Sequence, residues 1–239
     1  GPGQTLDSAK YFIVLPDGVG HGGSSKPSDG LHAKFPHYGY LDMVDLQHRL
    51  LVDGLGVNHA RLVMGTSMGG MQTWLWGEQF PDFMDALMPL ASVPGQISGR
   101  NRVWRRLIID AIRNDPDYQG GFYKTQPKSA QYANAIYALA TNGGANGLQK
   151  NAPTRELADQ LMEQALKAPF TADANDTLYR WNAARDFAPE PDLERIKATV
   201  LMINSADDER NPPELIQAQK AFPRIKHLST HLIPASEET

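Results

Sequence analysis

Short apolar runs alternate with stretches of helical spacing along much of this chain. Tyr11-Phe12-Ile13-Val14-Leu15 is β-branched and aromatic and stops at Pro16-Asp17-Gly18, which predicts a buried strand over 11–15. Met43, Val44, Leu46, Leu50 and Leu51 recur at helical spacing across 40–54, with Gly54 and Gly56 as stops. A strand over 60–65, a helix to about Gln79, a turn at Pro81 and an apolar run from Met84 to Leu90 follow. Two more strands are predicted at 198–203 and 228–233, with a helix starting near Pro213-Glu214-Leu215 between them. Strands separated by helical patterns predict an α/β fold, a mostly parallel sheet with helices on both faces.

Residues 95–187 change character. They carry helical periodicity without a convincing strand: Val103, Leu107, Ile108, Ala111 and Ile112 form one amphipathic stripe, and Leu157, Leu161, Met162 and Leu166 another. Loop signals separate them at Asn114-Asp115-Pro116-Asp117, Gly120-Gly121 and Asn142-Gly143-Gly144. A helical insertion in an α/β sheet reads most simply as a lid. The expected organisation is a core in two parts, 1–94 and 188–239, with a helical cap over 95–187.

The chemistry concentrates at Leu62-Val63-Met64-Gly65-Thr66-Ser67-Met68-Gly69-Gly70, an apolar strand running through Gly-x-Ser-x-Gly into a helix. A serine on a tight strand-to-helix turn has an exposed hydroxyl, and the flanking small residues let the chain segments approach closely. The helix that follows aims free N–H groups at an oxyanion formed beside Ser67, and the Met68 backbone N–H is the expected donor. The plainer reading is a Gly-rich turn that packs a helix on a sheet.

A serine nucleophile needs a base, and the base needs a carboxylate that fixes its tautomer. Asp207 and Asp208 sit in a loop straight after an apolar strand, where such an acid belongs in the order Ser, Asp, His. Asp208 is preferred; both aspartates also suit solvated turn positions or helix caps. Of the later histidines, His231 lies inside the last strand pattern and His227 just before it. The base is therefore expected beyond Thr239. His48 and His59 suit a helix face and a strand-entry turn.

Composition excludes several classes. The 239 residues are 41% hydrophobic with a formal net charge of -4, and no Lys/Arg-rich run suggests nucleic acid. No apolar run approaches membrane-spanning length. There is no cysteine, hence no disulfide, thiolate catalysis or Cys-ligated metal. The loop from Gly18 to Pro27 lacks the Gly-Lys-Ser/Thr ending of a phosphate-binding loop. Asp42, Asp45 and His48 share helical spacing but read as a solvated face, so no metal and no cofactor are expected. The expected partner is a small acyl substrate. Trp74, Trp76, Phe80 and Phe83 suit a dimer face or, better, a helix-on-sheet core, leaving a homodimer open. Cytoplasmic and periplasmic locations fit equally.

Together these residues resemble the α/β-hydrolase superfamily and, more narrowly, its homoserine acetyltransferase-like branch. The resemblance rests on Gly65-Thr66-Ser67-Met68-Gly69-Gly70-Met71-Gln72, on Gly1-Pro2-Gly3-Gln4-Thr5-Leu6-Asp7 with the segment after it, and on Asp115-Pro116-Asp117-Tyr118-Gln119-Gly120-Gly121. It implies that His21 is a structural loop residue and Asp208 the acid. It also implies three strands and a second oxyanion donor before Gly1, and a Gly-His pair shortly after Thr239, as in an internal piece of a longer enzyme. Two departures favour a hydrolase over a true acetyltransferase. The elbow has Thr66 where acetyltransferases more often have glycine, and no counterpart of their basic lid segment stands out among Arg105, Arg106, Arg155, Arg180 and Arg185.

Overall fold

The computed structural model describes residues 1–141, 144–168 and 171–236. Its centre is a four-stranded parallel sheet in the order β1 (Ala60–Thr66), β2 (Met84–Leu90), β3 (Thr199–Ser205), β4 (Leu228–Ile233). Thr66 pairs with Leu90, Leu90 with Ile203 and Ile203 with His231, so the C-terminal ends of all four strands share one edge. Parallel pairing requires a crossover between each pair. The first is α2 (Met68–Gln79), between β1 and β2.

The second crossover carries the helical middle of the chain. Between β2 and β3 the described residues form α3 (Gly99–Arg113), α4 (Lys128–Thr141), α5 (Gly144–Asn151), α6 (Arg155–Lys167) and α7 (Ala174–Asn182), with short 3-10 turns and no strand. Ahead of β1 stands α1 (Tyr40–Arg49), which runs into a π-helical turn at Leu50–Gly54. Ahead of β4 stands α8 (Ile216–Ala221), which begins three residues later than Pro213, after an extended Leu215.

Helix α2 is the keystone of the core. Met71, Trp74, Leu75 and Trp76 are buried among Met43 and Val44 of α1, Leu87 of β2 and Val200 and Met202 of β3. A helix apolar around most of its circumference is a helix enclosed by its neighbours. The Trp74, Trp76 and Phe83 rings are core residues here, and His48 stacks on Phe80 with ring centroids 3.7 Å apart.

Two expectations are corrected. Residues 11–15 are not a strand: they pair with no strand among the described residues, and Phe12 and Leu15 are 75% and 89% exposed. An apolar β-branched run becomes a strand only where a ladder supplies its hydrogen bonds, and the outer edge of β1 does not receive this one. The stripe on α3 is also rotated from the expected one. Val103 and Leu107 are exposed, and the buried face is Arg105, Ile108, Ile109 and Ile112. Arg105 thus occupies an apolar-face position at helical spacing.

One buried acid stands outside the candidate site. Glu78 on α2 is 3% exposed, its Oε1 has no hydrogen-bond partner among the described residues, and burial pushes its carboxyl up to about 8, with Asp192 and Glu190 adding repulsion. The folded state therefore holds a proton that the unfolded chain releases above its ordinary value of 4.5. Stability associated with this group is fully present below pH ~4.5 and is lost as pH rises towards about 8. Glu78→Gln is expected to gain on the wild type across that window, reaching a few kcal/mol at about pH 8. Urea unfolding of both proteins at a series of pH values measures it.

Candidate active site

The turn between β1 and α2 holds Ser67 at φ 53, ψ -109. A non-glycine residue there is strained by about 1–3 kcal/mol, and such strain persists only where its surroundings over-determine it. The surroundings are backbone. Ser67 N–H donates to the Leu90 carbonyl at the end of β2 (2.8 Å), and the Ser67 carbonyl accepts from Met71 N–H as α2 begins (2.9 Å). A Cβ at Gly65 would stand 2.8 Å from the Cα of Gly69, and one at Gly70 would stand 2.7 Å from both the Leu90 carbonyl oxygen and Ser92 Cβ. These glycines let the end of β1 and the first turn of α2 touch. Met68 is the first residue of α2, so its N–H belongs to the free N-terminal set of that helix.

Asp208 lies beyond the end of β3. Because β2 alone separates β1 from β3, the two strand ends are about 10 Å apart on the same edge of the sheet. Asp208 is half-buried, and its Oδ1 accepts from the backbone N–H groups of Arg210 (2.8 Å) and Asn211 (2.9 Å). Asp207 is exposed and tied to the Ser205 hydroxyl, which holds its carboxyl below the ordinary range. The two adjacent aspartates thus differ: Asp208 is built into the loop, and Asp207 faces solvent.

Three asparagines organise this loop, and sequence reasoning passed over all of them. Asn204, 2% exposed, donates from Nδ2 to the Asn211 carbonyl (2.9 Å). Asn211 donates from Nδ2 to the Ala91 carbonyl (2.9 Å), one residue past the carbonyl that receives Ser67 N–H. Asn101 on α3 donates from Nδ2 to the Arg210 carbonyl (2.6 Å). A signal existed for Asn204: β3 alternates Val200, Met202, Asn204 on its buried face, and an amide in that series needs a buried partner. Asn101 and Asn211 carry no such local signature.

The histidines are placed as follows. His21 sits with Nδ1 3.1 Å from the Val19 carbonyl, and burial lowers its affinity for a proton. His59 meets Asp85 at 2.9 Å at the entrance to β1. His231 is exposed on β4, and the His227 carbonyl accepts from Val200 N–H (2.8 Å) ahead of that strand. Asp208 has no histidine partner among the described residues. The Ala206 N–H to Ile233 carbonyl bond (2.9 Å) brings the segment after β4 to the same edge as the acid loop.

Several helical-segment arginines have neighbours within the chain. Arg105 donates to Asn101 (2.7 Å), Arg106 pairs with Asp110 (2.9 Å), and Arg185 donates to the Tyr38 carbonyl (3.0 Å) and pairs with Asp186 (3.1 Å). Arg180 lies over the Trp181 ring, and Arg155 is exposed. No group of three or more His, Cys, Asp or Glu side chains suited to a metal occurs among the described residues.

Comparison with known proteins identifies the family. The family model described as alpha/beta hydrolase fold matches residues 3–237. A probable acyltransferase of Methanothermobacter thermautotrophicus is 31% identical over 215 residues, covering 90% of this chain and 65% of that protein. An ethyl acetate hydrolase of Pseudomonas veronii is 33% identical over 129 residues, 52% of this chain and 37% of that one. The crystal structure of an acetylester hydrolase from Corynebacterium glutamicum superimposes with a TM-score of 0.82 at 22% identity, over 98% of this chain and 72% of that chain. The chain spans less than two thirds of the length of either sequence relative.

The glycine contacts give a paired prediction. Gly70→Ala is expected to destabilise by about 1–3 kcal/mol, because the methyl meets a carbonyl oxygen and a packed side chain. Gly69→Ala has open space around its Cβ and is expected to be neutral or to stabilise by up to ~1 kcal/mol through helix propensity. Denaturant midpoints of the two variants check the contrast.

Proposed function

The chain belongs to the alpha/beta hydrolase fold family, in the branch that includes homoserine O-acetyltransferases, and from that membership we propose that it carries the nucleophile and acid of a serine hydrolase acting on small acyl esters. The observation that carries the reading is the strained backbone of Ser67 at the N-cap of α2, directly after β1. Strain of this kind at a strand-to-helix turn is what a nucleophile elbow consists of.

In the proposed reaction Ser67 Oγ attacks the acyl carbonyl while a histidine takes its proton. The oxyanion of the tetrahedral intermediate is stabilised by Met68 N–H and a second donor. The histidine passes its proton to the departing alcohol, and water then releases the acid from the acyl-enzyme. Asp208 holds the imidazole in the required tautomer and stabilises its cation. With Oδ1 engaged by two backbone N–H groups, Oδ2 is left to face the base. The base is assigned to a histidine after β4, because that segment emerges beside the acid loop. The proposed reaction uses no metal and no organic cofactor. Residues 95–187 act as the lid whose packing shapes the acyl and alcohol pockets.

Acyl transfer to an alcohol acceptor is the second reading, favoured by the acyltransferase relative. It shares the acyl-enzyme and differs only in what accepts the acyl group. Hydrolysis is preferred because Arg105, Arg106 and Arg185 of the helical segment are bonded within the chain.

The test is fluorophosphonate labelling of the natural full-length protein, with turnover of short-chain p-nitrophenyl esters alongside. Ser67→Ala is expected to abolish labelling and to reduce turnover by ~10³-fold or more, since triad members act as a unit. Competition of labelling by acetyl-CoA would move the assignment to the transferase. A folded protein that takes no label would leave a non-catalytic α/β scaffold.

A further inference from the structure

Arg105 is the anomaly of α3. It is 6% exposed on a helix face otherwise made of Ile108, Ile109 and Ile112, and no carboxylate pairs with it among the described residues. A buried cation without a counter-ion is costly, and an apolar residue of similar volume would serve packing as well or better. Its charge is met by the face of the Trp181 ring on α7 at 5.1 Å, by the Tyr40 hydroxyl of α1, and by the Asn101 Oδ1, to which its Nε donates at 2.7 Å.

That bond has a directional consequence. Arginine only donates and a backbone carbonyl only accepts. Arg105 therefore fixes the Oδ1 end of the Asn101 amide, and the Nδ2 end is turned to the Arg210 carbonyl at 2.6 Å, with Asn211 Oδ1 at 3.4 Å. Arg210 and Asn211 are the two residues whose N–H groups hold Asp208 Oδ1. The opposite side of the loop is tied by Asn211 to the Ala91 carbonyl, and an ion pair between Arg100 and Glu209 (2.7 Å) adds a second link from α3.

We propose that Arg105 and Asn101 are positioning residues, a relay by which helix α3 aims the Asp208 carboxylate. The proposal rests on the reading of Asp208 as the acid. The relay makes the helical segment, and not only the sheet, responsible for the geometry of the acid. Misplacing a catalytic group by about 1 Å is enough to lower a rate by about 10²-fold.

The experiment is a double-mutant cycle in the full-length protein, with kcat and KM referred to the concentration of fluorophosphonate-titratable sites. Asn101→Ala and Arg105→Ala are expected to lower kcat by about 10- to 100-fold with KM changed by less than about threefold. Arg105→Lys, which keeps a donor, should recover part of the loss and also guards against a variant that does not fold. In an Asp208→Asn background, Asn101→Ala should cost little more, because its effect is exerted through the missing carboxylate. If Asn101→Ala multiplies undiminished in that background, or leaves kcat unchanged in the wild-type background, the relay is overturned while Asp208 stands. If Asp208→Asn alone retains wild-type kcat, the assignment of the acid fails instead, and the relay fails with it.

Discussion

Backbone contact between the end of β1 and the first turn of α2 is the constraint on which the rest of this structure depends. Gly65 lies against Gly69, and Gly70 against the Leu90 carbonyl and Ser92, at separations that leave no room for a side chain. With those distances set, the chain has to reverse from strand to helix within one residue, and that residue is Ser67 at positive φ. The same contact seats α2 on β1 and β2. Met71, Trp74 and Leu75 then fill the space between sheet and α1, so the strain at Ser67 is offset by burial of their part of the hydrophobic core. A helix displaced outward would lose that packing and relax the serine together.

The second half of the site is built by another device. No glycine contact locates Asp208. Side-chain amides do: Asn204 from the floor of β3, Asn211 across to Ala91, and Asn101 from above. Leu90 and Ala91 join the two halves, because the carbonyl of the first receives Ser67 N–H and the carbonyl of the second receives Asn211. A displacement at the end of β2 would therefore be felt at both the serine and the aspartate. Buried amides tolerate no such displacement, since each lost bond leaves a buried polar group without a partner.

Charged and polar residues tie the helical segment to the loop after β3. Arg100 and Asn101 at the start of α3 meet Glu209 and Arg210 of the Asp208 loop, Arg105 continues the chain of contacts to Trp181 on α7, and Arg210 lies over the Tyr137 ring of α4 at 4.9 Å. Exposed pairs such as Arg106 with Asp110 contribute little to stability in comparison. Burial of Arg105 makes its contacts matter, because a desolvated guanidinium is held to the few groups that face it.

Much of this was written in the order of residues. The sequence by itself determined the alternation of β1, α2 and β2, the two later strands, the helical nature of 95–187, and the serine turn, because periodicity and glycine spacing are local properties that each segment carries alone. Tertiary structure decided what depends on a partner elsewhere in the chain. Residues 11–15 have strand composition and no ladder to join, so their side chains lie exposed. The buried face of α3 includes Arg105 and omits Val103 and Leu107, because the neighbouring Trp181 and the acid loop set which side of the helix faces inward. Asn101, 110 residues from Asn211, could not be read as a neighbour of the Asp208 loop from sequence. A hydrogen bond across that separation exists only once the sheet has brought the ends of β2 and β3 together and α3 has been laid over them.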